Sequence, residues 1–382
     1  MLARSSLLRV TVPIKPIVAP HLSTPITKLP PLPPLRETID VDPKDAVKFF
    51  TDMTRIRRLE VVSDQAYKDK KIRGFCHLYL GQEAICVGMQ HAMTNEDCIV
   101  TGYRDHVWHL VRGGTPFEVF AEMFGKQGGC SKGKGGSMHF YKVKNNYYGG
   151  NGIVGAQVPL GAGLAWSFAL RNGVQSPKHV AVTLYGDGAA NQGQVFEAYN
   201  IAALHKLPCI FICENNHFGM GTSESRAAAN PSFHQRCEYI PGVKVDGMNV
   251  FQVAEITRYA KEWCLQGNGP IIIEYDTYRY VGHSMSDPDV TYRTKADIKA
   301  IRDSRDPILH IKTTILNNKW ASEDELAAIE AEIKSDIAKQ VADATAAEPS
   351  RMSEQVTDIL VDQRTYYPTG VRHCQGTKMV TF

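Results

Sequence analysis

The chain has 382 residues, 43% hydrophobic and 22% charged, enough for a large buried core in a globular α/β domain with extensions. A formal charge of +3, with no basic stripe interleaved with aromatics, argues against nucleic acid as a partner. No apolar run approaches the roughly 18 residues of a membrane span, and nine scattered cysteines without a Cys-x-x-Cys pair suit a reducing compartment better than a disulfide framework.

The N-terminus accounts for the basic excess. Residues 1–36 hold Arg4, Arg9, Lys15, Lys28 and Arg36 and no acid, and Arg9 interrupts the only candidate secretory core. Basic, Ser-containing and acid-free text of this kind predicts a mitochondrial transit peptide over 1–27 and a matrix location. Proline-rich text from 28 to 45 then reads as an extended linker. From there Ala46, Phe49, Phe50, Met53 and Ile56 recur at helical spacing, predicting a helix over 43–72. RGFCHLYLGQEAICVGMQHAM runs from a loop into a helix opened by Gln82 and Glu83, and PFEVFAEMFG (116–125) is helical again.

Residues 126–163, KQGGCSKGKGGSMHFYKVKNNYYGGNGIVGAQVPLGAG, are dense in glycine but carry Met138, Phe140, Tyr147, Tyr148, Ile153 and Val154. Flexible linkers lack such anchors, so this stretch is expected to be an ordered loop lining a site. Its GGCSKGK segment imitates a nucleotide-binding P-loop, but Gly135 stands where Ser or Thr is required and no strand precedes it. Strand-like HVAVTLYG (179–186), a helix over 193–206, strand-like PCIFICEN (208–215), a helix over 251–267 and strand-like 270–280 follow. Cys209 and Cys213 sit within the second run, where packing is their default role. This alternation predicts an α/β fold, a mostly parallel sheet flanked by helices, over 46–320. Ser322-Glu323-Asp324-Glu325 is a capping box that opens a helical C-terminal extension over 321–382.

The chemistry concentrates in VAVTLYGDGAANQGQVFEAYNIAALHKLPCIFICENN (180–216). Two similar apolar runs end in Gly186-Asp187-Gly188 and in Asn215-Asn216. If they are the strands of one β-α-β unit, they are parallel and finish at the same sheet edge, where open α/β sheets bind ligands. A carboxylate and an amide oxygen there suit Mg²⁺ or Ca²⁺. Glycines flanking Asp187 let a diphosphate approach the backbone, with the next helix start offering N–H groups. Gly-Asp-Gly alone is a weak signal, since an Asp can simply cap a helix. The ordered pair across a β-α-β pattern is far more specific.

Gly-Asp-Gly followed by about 27 residues and Asn-Asn resembles the thiamine diphosphate motif. The wider text resembles the α subunits of the 2-oxo acid dehydrogenase E1 family in RGFCHLYLGQEA, KGKGGSMHFY, GGNGIVGAQVPLGAG, GDGAANQGQVFEAYN, ENNHFGMGTSESRAAA and GHSMSDPDVTYR, from about residue 46 to 310. The resemblance implies Mg²⁺ held by Asp187, Asn216 and the carbonyl of Phe218, where family members often have Tyr. It implies thiamine diphosphate contacts from Tyr103, Arg104, Gly152, Val154, Gly188, Ala189 and His283, and active-site roles for His77 and His283. It assigns the glutamate that activates the cofactor to a partner β subunit, so neither Glu83 nor Glu197 is given that role.

The implied active unit is an α₂β₂ heterotetramer that passes its acyl group to lipoyl groups of an E2 subunit. The text at 126–163 and 278–293 favours pyruvate over a branched-chain 2-oxo acid. The segment YRYVGHSMSDPDVTYR reads as an exposed loop whose family counterpart is controlled by a kinase and a phosphatase. Ser284 and Ser223 match phosphorylated serines, while Thr291 replaces a third. Leu80 and His205 depart from the family pattern.

Overall fold

The computed structural model describes residues 9–10, 39–289 and 291–358. The expected transit peptide (beyond residues 9 and 10), linker residues 28–38 and extension residues 359–382 lie outside the described residues. The first helix, Pro43–Lys68, is opened by Asp42, whose carboxylate accepts from the Lys44 N–H at 2.8 Å, with Pro at its first position. Its Ala46, Phe49, Phe50, Met53 and Ile56 are buried, as their spacing requires.

Six strands form one parallel sheet: β1 Cys98–Gly102, β2 Tyr147–Asn151, β3 Ala181–Gly186, β4 Cys209–Asn215, β5 Gly242–Asp246 and β6 Ile271–Asp276, ordered β2-β1-β3-β4-β6-β5. The expected parallel sheet is therefore present, and β3 pairs directly with β4. Both faces are covered. Ile210 and Ile212 of β4 enter one apolar layer, while Cys209, Phe211 and Cys213 enter the other. That is why this strand reads as an unbroken apolar run. The expected third strand, 270–280, stops at Asp276, beyond which the chain turns over the sheet edge.

Two helices of one layer, Glu83–Ala92 and Val250–Leu265, meet across Gly88. A Cβ there would lie 2.8 Å from both the Val250 carbonyl oxygen and the Val253 side chain, so only glycine permits this approach. The C-terminal helix, Glu323–Ala346, begins at the expected capping box. Its Leu326, Ile333, Ile337 and Ala344 are buried in the same core cluster as the first helix and one sheet face. After it, the chain straps the glycine-rich stretch. Gln127 N–H donates to the Glu348 carbonyl at 3.0 Å, Ser350 Oγ to the Gly125 carbonyl at 3.1 Å, and Lys132 and Lys134 pair with Asp358 at 2.9 and 2.7 Å.

Candidate functional site

Because β3 and β4 are parallel neighbours, with Gly186 opposite Glu214, Asp187 and Asn216 emerge at one sheet edge. The two turns touch: a Cβ built on Gly188 would lie 3.2 Å from the Gly219 Cα. Beside them is a cavity of about 270 Å³. It sits where strand order reverses, since the chain leaves β1 for β2 on one side and returns to β3 on the other. Tyr103 and Arg104 follow β1, Val154 follows β2, Asp187, Gly188 and Ala189 follow β3, and Asn216 and Phe218 follow β4. All of these line it, as does His283.

The two asparagines divide the work. Asn215 is fully buried and holds the turn, donating to Glu224 at 2.6 Å and Glu274 at 3.0 Å while its oxygen accepts the His217 N–H at 3.0 Å. Asn216 donates its amide N–H to Gln82 Oε1 at 3.0 Å, which fixes the orientation of its oxygen. That oxygen accepts from Arg279 Nε at 3.2 Å, and Arg279 Nη2 donates to the carbonyls of Phe218 and Met220, both at 3.3 Å. Arg279 is completely buried, and its Nη1 has no partner. Burial pushes the Asp187 carboxyl up to about 6, and the Arg279 guanidinium opposes this shift.

Among the described residues no three His, Cys, Asp or Glu side chains cluster as a metal site. The residues that line the cavity include one carboxylate, at Asp187, one amide, at Asn216, and the carbonyl of Phe218. Such a set suits a hard divalent cation whose remaining positions go to phosphate oxygens and water. Open space at the Cβ position of Gly186 and the orphaned Nη1 of Arg279 fit an anionic group beside that cation. The residues present fit a magnesium diphosphate.

A ring cluster adjoins the cavity through Tyr103 and His283, which line it, whereas His77 does not. The His77 ring centroid lies 4.3 Å from that of Tyr103 and 5.4 Å from that of His283, and Tyr103 Oη is 3.3 Å from His283 Nε2. Burial first, then the Arg104 guanidinium, lowers His77 to about 2 and His283 to about 3. Lowered in this way, both imidazoles are neutral at pH 7, and that of His283 faces the Tyr103 hydroxyl. His77 Nδ1 is buried and unpartnered. Arg104 donates to the carbonyls of Leu78 and, at 2.9 Å, His283, so it ties together the segments carrying both histidines.

The other expected site residues, Gly152, Ser223 and Ser284, are not among the residues that line the cavity. Gly152 stands just past β2, where an added Cβ would approach His139 Nε2 to 3.3 Å. Ser223 pairs with Phe218 across a two-residue hairpin, and its Oγ is 3.1 Å from Ser225 Oγ. The segment around Ser284 differs from the exposed loop expected. Ser284 is 8% exposed, with its Oγ 2.9 Å from Ser286 Oγ. The polar residues that suggested exposure bond to one another: Asp287 accepts the His283 N–H at 2.7 Å and the Tyr292 hydroxyl at 2.5 Å, and Arg293 donates to the Arg279 carbonyl at 2.6 Å.

Sequence reasoning missed Gln82, Gln157, Glu214 and Arg279. Three of these line the cavity, and Arg279 donates to the oxygens of Asn216 and Phe218 beside it. Glu214 immediately precedes the Asn pair, and burial raises it to about 7. Arg279 has one available signal, its position just beyond a third parallel strand at the same edge.

The family model described as "Dehydrogenase E1 component" matches residues 51–353. The chain is 56% identical over 319 residues to "Pyruvate dehydrogenase E1 component subunit alpha, mitochondrial" of Dictyostelium discoideum, covering 84% of this chain and 83% of that one. It is 53% identical over 329 residues to the protein of the same name from Solanum tuberosum, covering 86% and 83%. It is 52% identical over 303 residues to "Pyruvate dehydrogenase E1 component subunit alpha, somatic form, mitochondrial" of Homo sapiens, covering 79% and 76%.

Proposed function

Since the chain belongs to the dehydrogenase E1 component family, we propose that it works as the α subunit of a mitochondrial pyruvate dehydrogenase E1 component. The reaction is the oxidative decarboxylation of pyruvate with transfer of the acetyl group. The observation that carries this reading is that Asp187, Asn216 and Phe218 line one cavity at a sheet edge in a chain 56% identical to a named pyruvate enzyme. The relatives above carry the pyruvate name, which favours pyruvate over a branched-chain 2-oxo acid.

The cofactor is thiamine diphosphate, and Mg²⁺ is its expected metal, held by Asp187, Asn216 and the Phe218 carbonyl. When bound, the cofactor would supply a nucleophilic carbon and an electron sink for the pair left behind when CO₂ departs. The chain's own residues bind and orient. Gly188, Ala189, Tyr103 and Arg104 receive the diphosphate, and Gly152 and Val154 offer backbone groups to the pyrimidine. His77 and His283, both neutral, orient the substrate carboxylate by hydrogen bonding.

A β subunit in an α₂β₂ assembly would close the cavity, which is supported by its apolar surroundings. Phe75, Ile153, Leu160 and Met220 are each more than half exposed. An E2 lipoyl group would then accept the acetyl group. A kinase and a phosphatase acting on Ser284 and Ser223 complete the reading. Phosphate on Ser284 adds roughly −1.5 to −2 charge beside His283, repelling an anionic substrate. Burial of Ser284 means that its loop must open before modification.

The test is co-expression with a β subunit and an assay of 2-oxo acid-dependent reduction of an artificial acceptor, with cofactor and metal present or omitted. Turnover that prefers pyruvate and needs both additions supports the reading. Preference for a branched-chain acid changes the substrate, and no turnover by an assembled tetramer rejects it.

A further inference from the structure

The turn that carries two of the three candidate metal oxygens has an unusual residue at its centre. His217, between Asn216 and Phe218, adopts φ +70°, in the left-handed region that a β-carbon makes costly. Glycine would adopt it freely, yet a large ring stands there. That ring is held at both ends. Nδ1 lies 2.9 Å from Glu224 Oε1, and Nε2 lies 3.5 Å from Asp276 Oδ1.

Neither carboxylate is loose. Glu224 also takes the Asn215 side-chain amide at 2.6 Å, and Asp276 takes Arg305 at 3.0 Å and faces Lys244 at 3.2 Å. The backbone of His217 is secured as well, its N–H donating to Asn215 Oδ1 at 3.0 Å and its carbonyl accepting the Glu224 N–H at 3.0 Å. The ring therefore joins the end of β6, at Asp276, to Glu224, the residue after the hairpin beyond β4, through one side chain.

We propose that His217 is a positioning residue for the metal: its ring, strung between Glu224 and Asp276, holds the left-handed turn that aims the Asn216 amide oxygen and the Phe218 carbonyl at one point. The proposal rests on the metal reading of those two residues given above. It requires no contact between the imidazole and the metal. Outer partners of this kind orient ligands and alter metal affinity by roughly 10- to 100-fold.

The decisive variant is His217→Gly, which relieves the backbone cost and deletes the ring. If only the turn conformation mattered, this variant would bind metal as well as the parent. The measurement is made on the full chain copurified with its β subunit. Mn²⁺ binding in the presence of thiamine diphosphate is followed by electron paramagnetic resonance, beside the melting temperature of the metal-free protein. His217→Gly is expected to weaken Mn²⁺ binding roughly 10- to 100-fold with little change in melting. His217→Asn, which tolerates the turn and can still reach one carboxylate, should recover part of the loss. Glu224→Gln, which weakens one anchor and leaves the turn residue intact, should give a smaller loss in the same direction.

Parent-like Mn²⁺ binding in both His217→Gly and Glu224→Gln, while Asn216→Ala abolishes it, overturns the proposal and leaves the metal reading standing. Parent-like binding in Asn216→Ala overturns the metal reading and this proposal together.

Discussion

Two glycine-rich turns of this chain are built to surround an anion, and only one of them is open to a ligand. In the stretch that imitates a P-loop, the N–H groups of Ser131, Gly133 and Gly135 converge on the carboxylate of Glu122 at 2.8, 2.9 and 2.6 Å. Glu122 is fully buried, so the chain fills this nest with its own anion. In the turn after β3, Gly186, Gly188 and Ala189 line the cavity, and the adjacent carboxylate belongs to Asp187, part of a candidate cation site. Glycine content is the same signal in both places. What separates a scaffold from a site is whether a side chain of the same protein already occupies the cradle.

The comparison breaks if either turn can be converted toward the other. The largest effect is expected at the open turn. Asp187→Ala should abolish pyruvate-dependent turnover and thiamine diphosphate binding, read by acceptor reduction and fluorescence quenching, while the melting temperature of the metal-free protein stays near the parent value. Glu122→Ala should do the reverse at the filled turn, costing on the order of 3 kcal/mol as three half-buried N–H groups lose their acceptor. Millimolar phosphate should then raise the melting temperature of Glu122→Ala and leave the parent unmoved. An unmoved variant would show that the nest cannot accept an outside anion.

Asp105 sharpens the contrast from the opposite wall of the same stretch, where its Oδ2 accepts the Phe140 N–H at 3.0 Å. Burial pushes its carboxyl up to about 8, so the folded protein keeps this proton while the unfolded chain loses it above pH 4 or so. Unfolding then releases a proton between those limits, and stability falls as pH rises by up to about 1.4 kcal/mol per unit. Asp105→Asn should remove that slope in urea titrations at pH 5, 6 and 7. The smallest effect belongs to Gly188→Ala, whose new methyl would meet the Gly219 Cα at 3.2 Å. It should weaken cofactor binding about fivefold, roughly 1 kcal/mol, with activity restored at saturating cofactor.

These contrasts explain how far the sequence could be read. Asp187 and Asn216 were legible because each ends a long apolar strand, and the pairing of β3 with β4 follows from the β-α-β pattern. β2 was hidden because YYGGN has two glycines in five residues, and β5, GVKVD, is too short to show alternation clearly. Arg279 was hidden for another reason. A buried arginine in a polar, serine-rich segment looks like a surface residue until the carbonyls that receive it are in place. The expectation of an exposed loop around Ser284 failed on the same point, since Asp287 and Arg293 bond within the segment rather than to water.

The strap across the glycine-rich stretch also sets a timetable. Ser350 and Gly125 are 225 residues apart, and Glu354 and Asp358 reach back to Lys132 and Lys134. A polypeptide made from its N-terminus cannot complete this closure until residues 350–358 have emerged. The nest around Glu122 can form early, because all its partners lie within 13 residues. Its cover arrives late, after the sheet strands have all been synthesised. Nascent or truncated chains ending before residue 350 would therefore present an assembled sheet with an unlatched wall, a form that a protease can distinguish from the finished subunit.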